Sequence, residues 1–219
     1  MPKTKMLILT FAVSVVLSVI GVASASAMDL WYVNGTELKP AQTAALANTA
    51  AVDSPAVLRV PGLSLEITCS GNVLKGSKPE IQGGTAMGQA ESVSFESCSE
   101  VSPPTCKLSS PKITTESILL LFLLVLPGIP SVTVEPHAGN TFATLTFEGS
   151  SCSFEGEQGV TGKVLYVFLG GGSEEVLHAI EGQGTTENNS LILDGNHAYI
   201  EGGKTLLKLA SGEKWSFRE

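Results

Sequence analysis

Apolar and polar residues alternate along most of this chain, a pattern typical of strands with one buried face. The alternation is clearest over residues 63–69, 91–97 and 131–135. Side chains alternate between the two faces of a strand, so Cys69 falls on the apolar face and is expected to be buried. Over residues 141–148 the apolar side chains do not share one face, which predicts a β-bulge near Ala143 or Thr144.

Turn signals separate these segments about every ten residues. The strongest are Asn34-Gly35, after an aromatic strand that begins at Leu30, and Asp194-Gly195-Asn196. Further short strands are predicted over residues 163–169, 175–180, 191–193, 197–200, 205–209 and 215–217. We therefore predict an all-β fold, an antiparallel sandwich or partly open barrel with a C-terminal run of hairpins.

Two segments lack a strand pattern. Residues 40–52 are rich in alanine without a clear apolar stripe, which predicts a loop or a weak helix. Residues 71–89 hold five glycines and one proline and predict a long irregular connection. The glycines at 83–88 precede a strand rather than a helix N-terminus, so they do not predict a phosphate-binding loop.

The most apolar stretch after the N-terminal region is Ile118–Leu126. Its nine residues are too few to cross a bilayer as a helix, and Pro127 and Pro130 end it. We expect a strand that is buried on both faces at the centre of the core, because burying one Leu side chain is worth about 1.5–3 kcal/mol. A buried helical turn and a lipid-facing patch are the alternatives.

Residues 1–27 have the three parts of a secretory signal peptide. Lys3 and Lys5 form a positive region, residues 6–22 are largely apolar, and residues 23–27 offer two small-x-small cleavage sites. The doubled cleavage motif favours cutting after Ala27 over retention as an N-terminal anchor. The cleavage point carries no cysteine, so a lipoprotein anchor is not indicated. A secreted, extracellular protein is expected.

Removing the signal peptide leaves residues 28–219 and changes the net charge from −8 to −10, because the leader holds two lysines and no acid. An acidic surface repels nucleic acid and anionic membranes, so neither is an expected partner. The mature chain holds no membrane span. Its length fits a single β domain, and a softer internal boundary is expected near residues 156–162.

All four cysteines lie in the mature chain, and an even number in an exported protein predicts two disulfides. Three pairings are open. We favour Cys98–Cys106, which closes a short loop stiffened by Pro103-Pro104, and Cys69–Cys152. A zinc site is not indicated, because there is no Cys-x-x-Cys pair and no histidine nearby.

The chain carries no recognisable catalytic motif, neither Gly-x-Ser-x-Gly nor His-Glu-x-x-His. The three histidines, His137, His178 and His197, stand alone, without a second ligand at strand or helix spacing. The acids around Cys152, namely Glu148, Glu155 and Glu157, fit a hydrated surface better than a glycosidase pair. Residues 194–196 lack the calcium-loop pattern. We expect a protein that is not an enzyme and has no cofactor or metal.

The placed residues resemble a large group of uncharacterised exported actinobacterial proteins. The matching motifs are Trp31-Tyr32-Val33-Asn34-Gly35, Ile67-Thr68-Cys69, Val93-Ser94-Phe95-Glu96-Ser97-Cys98, Pro104-Thr105-Cys106, Ile113-Thr114-Thr115-Glu116, Thr146-Phe147-Glu148 with Cys152, and Gly159-Val160-Thr161-Gly162. They cover most of residues 30–164. The resemblance implies export and a cysteine-stapled β fold, and it implies no activity. Ile118–Leu126 is more apolar than the strand expected there.

Three function classes remain. We favour a non-catalytic exported β protein that acts at or outside the cell envelope through structural or protein contacts. The alternative is a carbohydrate- or envelope-polymer-binding module, whose stacking residues would be Trp31, Tyr32, Tyr166, Tyr199 and Trp215. Aromatic residues make up only 6% of the chain, so the core is expected to need most of them. An unrecognised hydrolase would need His137 or His178 in a deep pocket beside a serine and an acid.

Overall fold

The computed structural model of the protein describes residues 30–50, 54–76, 79–85, 87–126, 129–184 and 189–218. The predicted signal peptide, residues 1–27, lies outside these ranges. The described residues form twenty-one strands and one 3-10 turn, Pro61–Leu63. Within these ranges, no helix has the length and apolar character needed to cross a membrane.

The strands up to residue 114 are mostly short. In order they are β1 Leu30–Val33, β2 Thr36–Glu37, β3 Thr43–Ala50, β4 Ala56–Val60, β5 Leu65–Cys69, β6 Gly71–Lys75, β7 Glu80–Gln82, β8 Met87–Ala90, β9 Ser92–Glu96, β10 Glu100–Ser102, β11 Lys107–Leu108 and β12 Ile113–Thr114. The strands that follow are β13 Ile118–Leu126, β14 Ile129–Pro136, β15 Thr141–Glu148, β16 Gly156–Thr161, β17 Val164–Phe168, β18 Leu177–Gly182, β19 Leu191–Leu193, β20 Asn196–Leu209 and β21 Trp215–Arg218.

The largest sheet curls around its longest strand, β20. The C-terminal half of β20 pairs with β18 on one side and with β3 on the other. From β18 the antiparallel pairings continue through β17, β14, β13, β8 and β7, and β7 pairs with β3. These eight strands therefore close a ring of hydrogen-bonded neighbours.

The N-terminal half of β20 belongs to a second part of the same sheet. It pairs with β4, which leads to β5 and β10, and with β19, which leads to β16, β15 and β11. Gly202 and Gly203 both have positive φ, at 70° and 66°, and they separate the two halves of the strand. A residue with a Cβ rarely adopts this backbone conformation, so the glycines let one strand serve both parts.

The interior of the ring is filled. Leu120, Tyr166 and Leu207 come from three ring strands and line a void of only about 20 Å³. Asn72 of β6 and Val93 of β9 line the same void, so the small sheet β12-β9-β6 packs against the inner face of the ring. Space for about one water molecule cannot admit an organic ligand.

The small sheet β2-β1-β21 is joined to the ring by its aromatic residues. Trp31 is fully buried, with its ring centroid 5.5 Å from that of Trp215 and 5.2 Å from that of Phe217. Its indole Nε1 donates a hydrogen bond of 3.1 Å to the carbonyl oxygen of Met87 in ring strand β8. Because the indole N–H has a partner, the large ring can be buried without an unsatisfied donor.

Several features expected from the sequence are present. The fold is all-β and antiparallel, and its main sheet is curled. Cys69 is buried. The register of β15 against β16 shifts between Thr141 and Ala143, which confirms a bulge in this region. The soft boundary expected near residues 156–162 stays a prediction; these residues contain β16, which pairs with both β15 and β19.

Two expectations about secondary structure were wrong. Residues 40–52 contain β3, and no helix forms over the described residues 40–50, because pairing with β7 and β20 outweighs the helix propensity of alanine. Residues 71–89 contain β6, β7 and β8 in place of an irregular connection. Four of the five glycines lie at strand ends or turns, and Gly88 lies within β8. At Gly83, for example, a Cβ atom would stand 2.2 Å from the carbonyl oxygen of Lys39.

The apolar run forms strand β13, as expected. It pairs with β14 along its length and with β8 from Ile118 to Leu121. Ile118 and Leu120 are buried, at 0% and 3% exposure. The structure does not describe the side chains of Leu119 and of residues 121–126. The expected burial is therefore confirmed only for Ile118 and Leu120.

All four cysteines form disulfides, but the pairing differs from the predicted Cys98–Cys106 and Cys69–Cys152. Cys69 bonds to Cys98 and Cys106 bonds to Cys152, with Cα atoms 3.9 and 4.8 Å apart. The reason lies in the strand register. The Cys98–Cys106 segment contains β10, which pairs with β5 and so brings Cys98 beside the end of that strand. β11 then pairs with β15, which brings Cys106 beside the turn that holds Cys152.

Candidate functional site

A polar groove of about 430 Å³ lies where three chain segments meet. We call it the polar groove. Glu135 lies near the end of β14 and Asn140 in the connection from β14 to β15, whereas Thr161 ends β16 and Lys163 lies between β16 and β17. Ser190, just before β19, supplies the third wall.

Backbone hydrogen bonds fix the three walls relative to each other. The amide N–H of Gly162 donates to the carbonyl oxygen of Asn140 at 3.2 Å, and the amide N–H of Ser190 donates to that of Lys163 at 3.1 Å. Gly162 has a φ of +98°, and a Cβ atom there would lie 2.0 Å from the carbonyl oxygen of Ser190. The close approach of these two segments therefore depends on glycine.

Asn189 holds the third wall in place from beneath. It is almost completely buried, and its Oδ1 accepts a 2.9 Å hydrogen bond from the backbone N–H of Leu165 in β17. Its Nδ2 donates to the carbonyl oxygen of Gln183. The segment that carries Ser190 is thus locked to β17, and the groove is largely formed without a ligand.

The groove holds polar groups whose hydrogen-bonding capacity is unused inside the protein. Glu135 is half-buried and Lys163 is exposed, so a carboxylate and an ammonium group line one depression. Within the described ranges, the side chains of Glu135, Asn140, Thr161, Lys163 and Ser190 make no hydrogen bond or ion pair with the protein. The lining contains neither histidine nor cysteine. These side chains can donate hydrogen bonds to a polar molecule and accept hydrogen bonds from it.

A second cleft, of about 370 Å³, lies between the two disulfides. Its lining includes Cys98, Cys106, Val101, Pro104 and Leu108. Both cysteines are oxidised, so neither offers a thiol for nucleophilic or metal chemistry.

The cluster of charges around Arg59 is internally satisfied. Its guanidinium group donates to the carboxylates of Glu66 and Glu201 across β5, β4 and β20. The hydrogen bond to Glu201 is the main reason that the pKa of Arg59 is raised. These acids are already engaged with a cation.

The five residues expected to stack on a ligand do not form an exposed platform. Trp31, Tyr166 and Trp215 are buried, and ligand stacking is therefore wrong for these three. Their rings fill the core, as the low aromatic content suggested. Tyr32 and Tyr199 are half-buried and lie on different sheets, in β1 and β20.

Tyr166 takes part in a buried polar network inside the ring. Its hydroxyl oxygen accepts a 2.9 Å hydrogen bond from Asn72 Nδ2, and Asn72 Oδ1 accepts one from the hydroxyl group of Thr205. Burial raises the pKa of Tyr166, and the hydrogen bond from Asn72 opposes that shift. Because each polar group has a partner, the network fixes β6 inside the ring.

The histidines do not meet one another. His178 is buried, with its ring centroid 4.4 Å from that of Trp215 and 5.7 Å from that of Phe168. Its Nε2 lies 2.9 Å from the carbonyl oxygen of Trp215, and because a carbonyl only accepts, Nε2 carries the proton. His137 and His197 are exposed.

Carboxylates and potential metal ligands are dispersed. The acids around Cys152, Glu148, Glu155 and Glu157, are exposed. In the part of the chain that the structure describes, no three His, Cys, Asp or Glu residues are grouped so that they could hold a metal ion.

The sequence did not reveal the polar groove. Its residues lie at strand ends and turns in three separate parts of the chain, and the pairing of β15 with β16 and the buried Asn189 bring them together. The sequence indicated only that Asn140, Gly162 and Ser190 are residue types common in turns. Because many other residues of the chain are of the same types, this did not single out the groove.

No protein-family model, curated protein or solved structure matches this chain.

Proposed function

We propose that the mature protein is a non-catalytic exported β protein that acts at or outside the cell envelope through structural or protein contacts. The observation that carries the proposal is that the cysteine, tryptophan and buried histidine side chains are all engaged in cross-links or in core packing. The four cysteines cross-link strand ends, and Trp31, Trp215 and His178 pack together in the core. Cys98 and Cys106 border a cleft only as disulfides, and the rings of Trp31, Trp215 and His178 are buried, so these groups stabilise the fold and none of them offers a reactive group to a ligand.

The disulfides support the extracellular part of the proposal. Disulfides form and persist in oxidising compartments, whereas thiols are kept reduced in the cytosol. Both bonds connect segments far apart in sequence, 29 and 46 residues, so both contribute to the stability of the folded chain.

Exposed apolar side chains support the protein-contact part. Leu169, Val176 and Leu177 are 41–47% exposed and flank the turn between β17 and β18. They lie at the same end of the β17–β18 pair, because Phe168 pairs with Ile180 and the backbone N–H of Leu169 donates to the carbonyl oxygen of Ala179. Exposed apolar groups that lie close together are common at protein contact sites.

The proposal is tested in two steps. The intact chain is expressed in a secreting host, and the mass of the protein in each fraction is measured. Export predicts that the culture medium or cell-wall fraction holds a chain that begins at Met28. Cross-linking of that protein on the intact envelope, followed by mass spectrometry, should then give a reproducible partner, and it should fail in a variant with serine at Leu169, Val176 and Leu177. An uncleaved protein confined to the cytosol would contradict export.

The envelope-ligand alternative is favoured by a different observation, the polar groove. Its unused polar groups support binding of a polar envelope component, although the aromatic residues do not support carbohydrate stacking. Hydrolysis of an envelope polymer by the purified protein, abolished by Ser190→Ala, would contradict both non-catalytic proposals.

A further inference from the structure

Two opposite charges line the polar groove without neutralising each other. Glu135 and Lys163 both contribute to its lining, yet none of the ion pairs in the described part of the chain includes either residue. Each charge is therefore available to a bound molecule. A ligand with a carboxylate for Lys163 and an ammonium group for Glu135 would form charge-assisted hydrogen bonds at both ends, which are about twice as strong as neutral ones.

The size of the groove limits the ligand. Small-molecule sites have volumes of roughly 300–1,000 Å³. The polar groove, at about 430 Å³, is near the lower end of that range. A free amino acid or a di- or tripeptide fits this volume, whereas a folded partner does not.

The remaining groups suit the same ligand. Asn140 offers one amide donor pair and one acceptor, and the hydroxyl groups of Thr161 and Ser190 can donate or accept. A peptide unit presents one N–H and one C=O, which such groups can satisfy. Because backbone hydrogen bonds hold the walls in place, little ordering is required when a ligand binds.

The charge of the whole protein excludes some competitors. The mature chain carries a net charge of −10, which repels anionic ligands such as phosphates. A molecule with equal and opposite charges has no net charge to be repelled. An uncharged sugar would leave the carboxylate and the ammonium group without partners of opposite charge.

We propose that the polar groove binds a small zwitterion, a free amino acid or short peptide, with its carboxylate at Lys163 Nζ and its ammonium group at Glu135. The proposal does not depend on the protein-contact function above, since it concerns another surface and can be tested with purified protein.

Binding is measured by NMR on the mature protein with both disulfides intact. The probes are glycylglycine, its N-acetylated and C-amidated derivative, which has no charges, and glucose. Glycylglycine at millimolar concentration should shift the amide signals of Gly162 and Ser190. The uncharged derivative should bind at least about tenfold more weakly, because it loses both charge-assisted contacts.

Two charge-removing variants locate the contacts. Lys163→Gln and Glu135→Gln should each weaken glycylglycine binding about tenfold or more. The matched controls are Lys208→Gln and Glu148→Gln, which remove exposed charges outside the groove and should leave binding unchanged. Equal melting temperatures would show that the variants are folded.

Three results would overturn the proposal. The first is the absence of shifts at the groove with glycylglycine. The second is equal binding of glycylglycine and its uncharged derivative. The third is glucose binding that both charge variants retain, which would identify the groove as a polyol site.

Discussion

The observed disulfide pairing makes a quantitative prediction about stability. The loops closed by Cys69–Cys98 and Cys106–Cys152 span 29 and 46 residues and do not overlap in sequence. By chain entropy, the first bond contributes about 3.5 kcal/mol and the second about 4 kcal/mol to the free energy of unfolding. Because the loops are independent, the two losses should add. Their sum, about 7.5 kcal/mol, reaches the 5–15 kcal/mol that holds a typical domain together.

The assay uses paired alanine variants. One variant carries Cys69→Ala with Cys98→Ala, and the other carries Cys106→Ala with Cys152→Ala. Each should lower the free energy of unfolding by the amount given above, and unfolding should therefore occur at a lower urea concentration. Trp31 and Trp215 are both fully buried, so their fluorescence reports the transition. The variant that lacks all four cysteines should be largely unfolded without urea.

The control variant removes one cysteine from each of the two disulfides. Cys98→Ala with Cys106→Ala leaves Cys69 and Cys152 without their partners, so two free thiols should react under denaturing conditions. Cys69→Ala with Cys98→Ala should show none. Two free thiols in the second variant, or none in the first, would refute the pairing and the strand register from which it follows.

Three further predictions concern single residues. Burial raises the pKa of Tyr166 above its ordinary value of 10.0, so the unfolded chain loses this proton first as the pH rises, and the free energy of unfolding should fall above pH 10. Tyr166→Phe should make the fall of stability with pH less steep, and an unchanged dependence on pH would contradict this. Gly162→Ala should lower the free energy of unfolding by about 1–3 kcal/mol through its positive φ and a backbone clash, whereas Gly159→Ala, which meets no atom within 4 Å, should change it little in the same urea titration. Leu120→Asp should prevent folding, as measured by circular dichroism, because it buries a charge in the ring. The control Leu177→Asp, at an exposed position, should fold. A folded Leu120→Asp protein would show that β13 is not part of the core.

Features set by neighbouring residues could be read from the sequence. Asn34-Gly35 forms the two-residue turn between β1 and β2, with φ values of 47° and 73°. Asp194-Gly195 forms the equivalent turn between β19 and β20, with φ values of 47° and 72°. Both residues of each turn need positive φ, and the residue pair itself supplies that preference.

Features set by distant pairing could not be read in the same way. Residues 43–50 form a strand only because β7 and β20 lie on either side of them. The disulfides follow the pairings of β10 with β5 and of β11 with β15, so the nearest cysteine in sequence was a poor guide to the nearest in space. The polar groove depends on the same long-range contacts, since Glu135 and Ser190 are distant in the chain.

The place of β20 in the fold has a consequence for biosynthesis. This strand leaves the ribosome long after β3 and β4, with which it pairs. Neither the ring nor the second part of the sheet can be completed until residues 196–209 are available. Long-range pairing of this kind slows folding, and incomplete chains keep their strand edges unpaired. A nascent chain that has not yet reached residue 196 therefore keeps the ring open, and β3 and β4 lack the partner that β20 will provide.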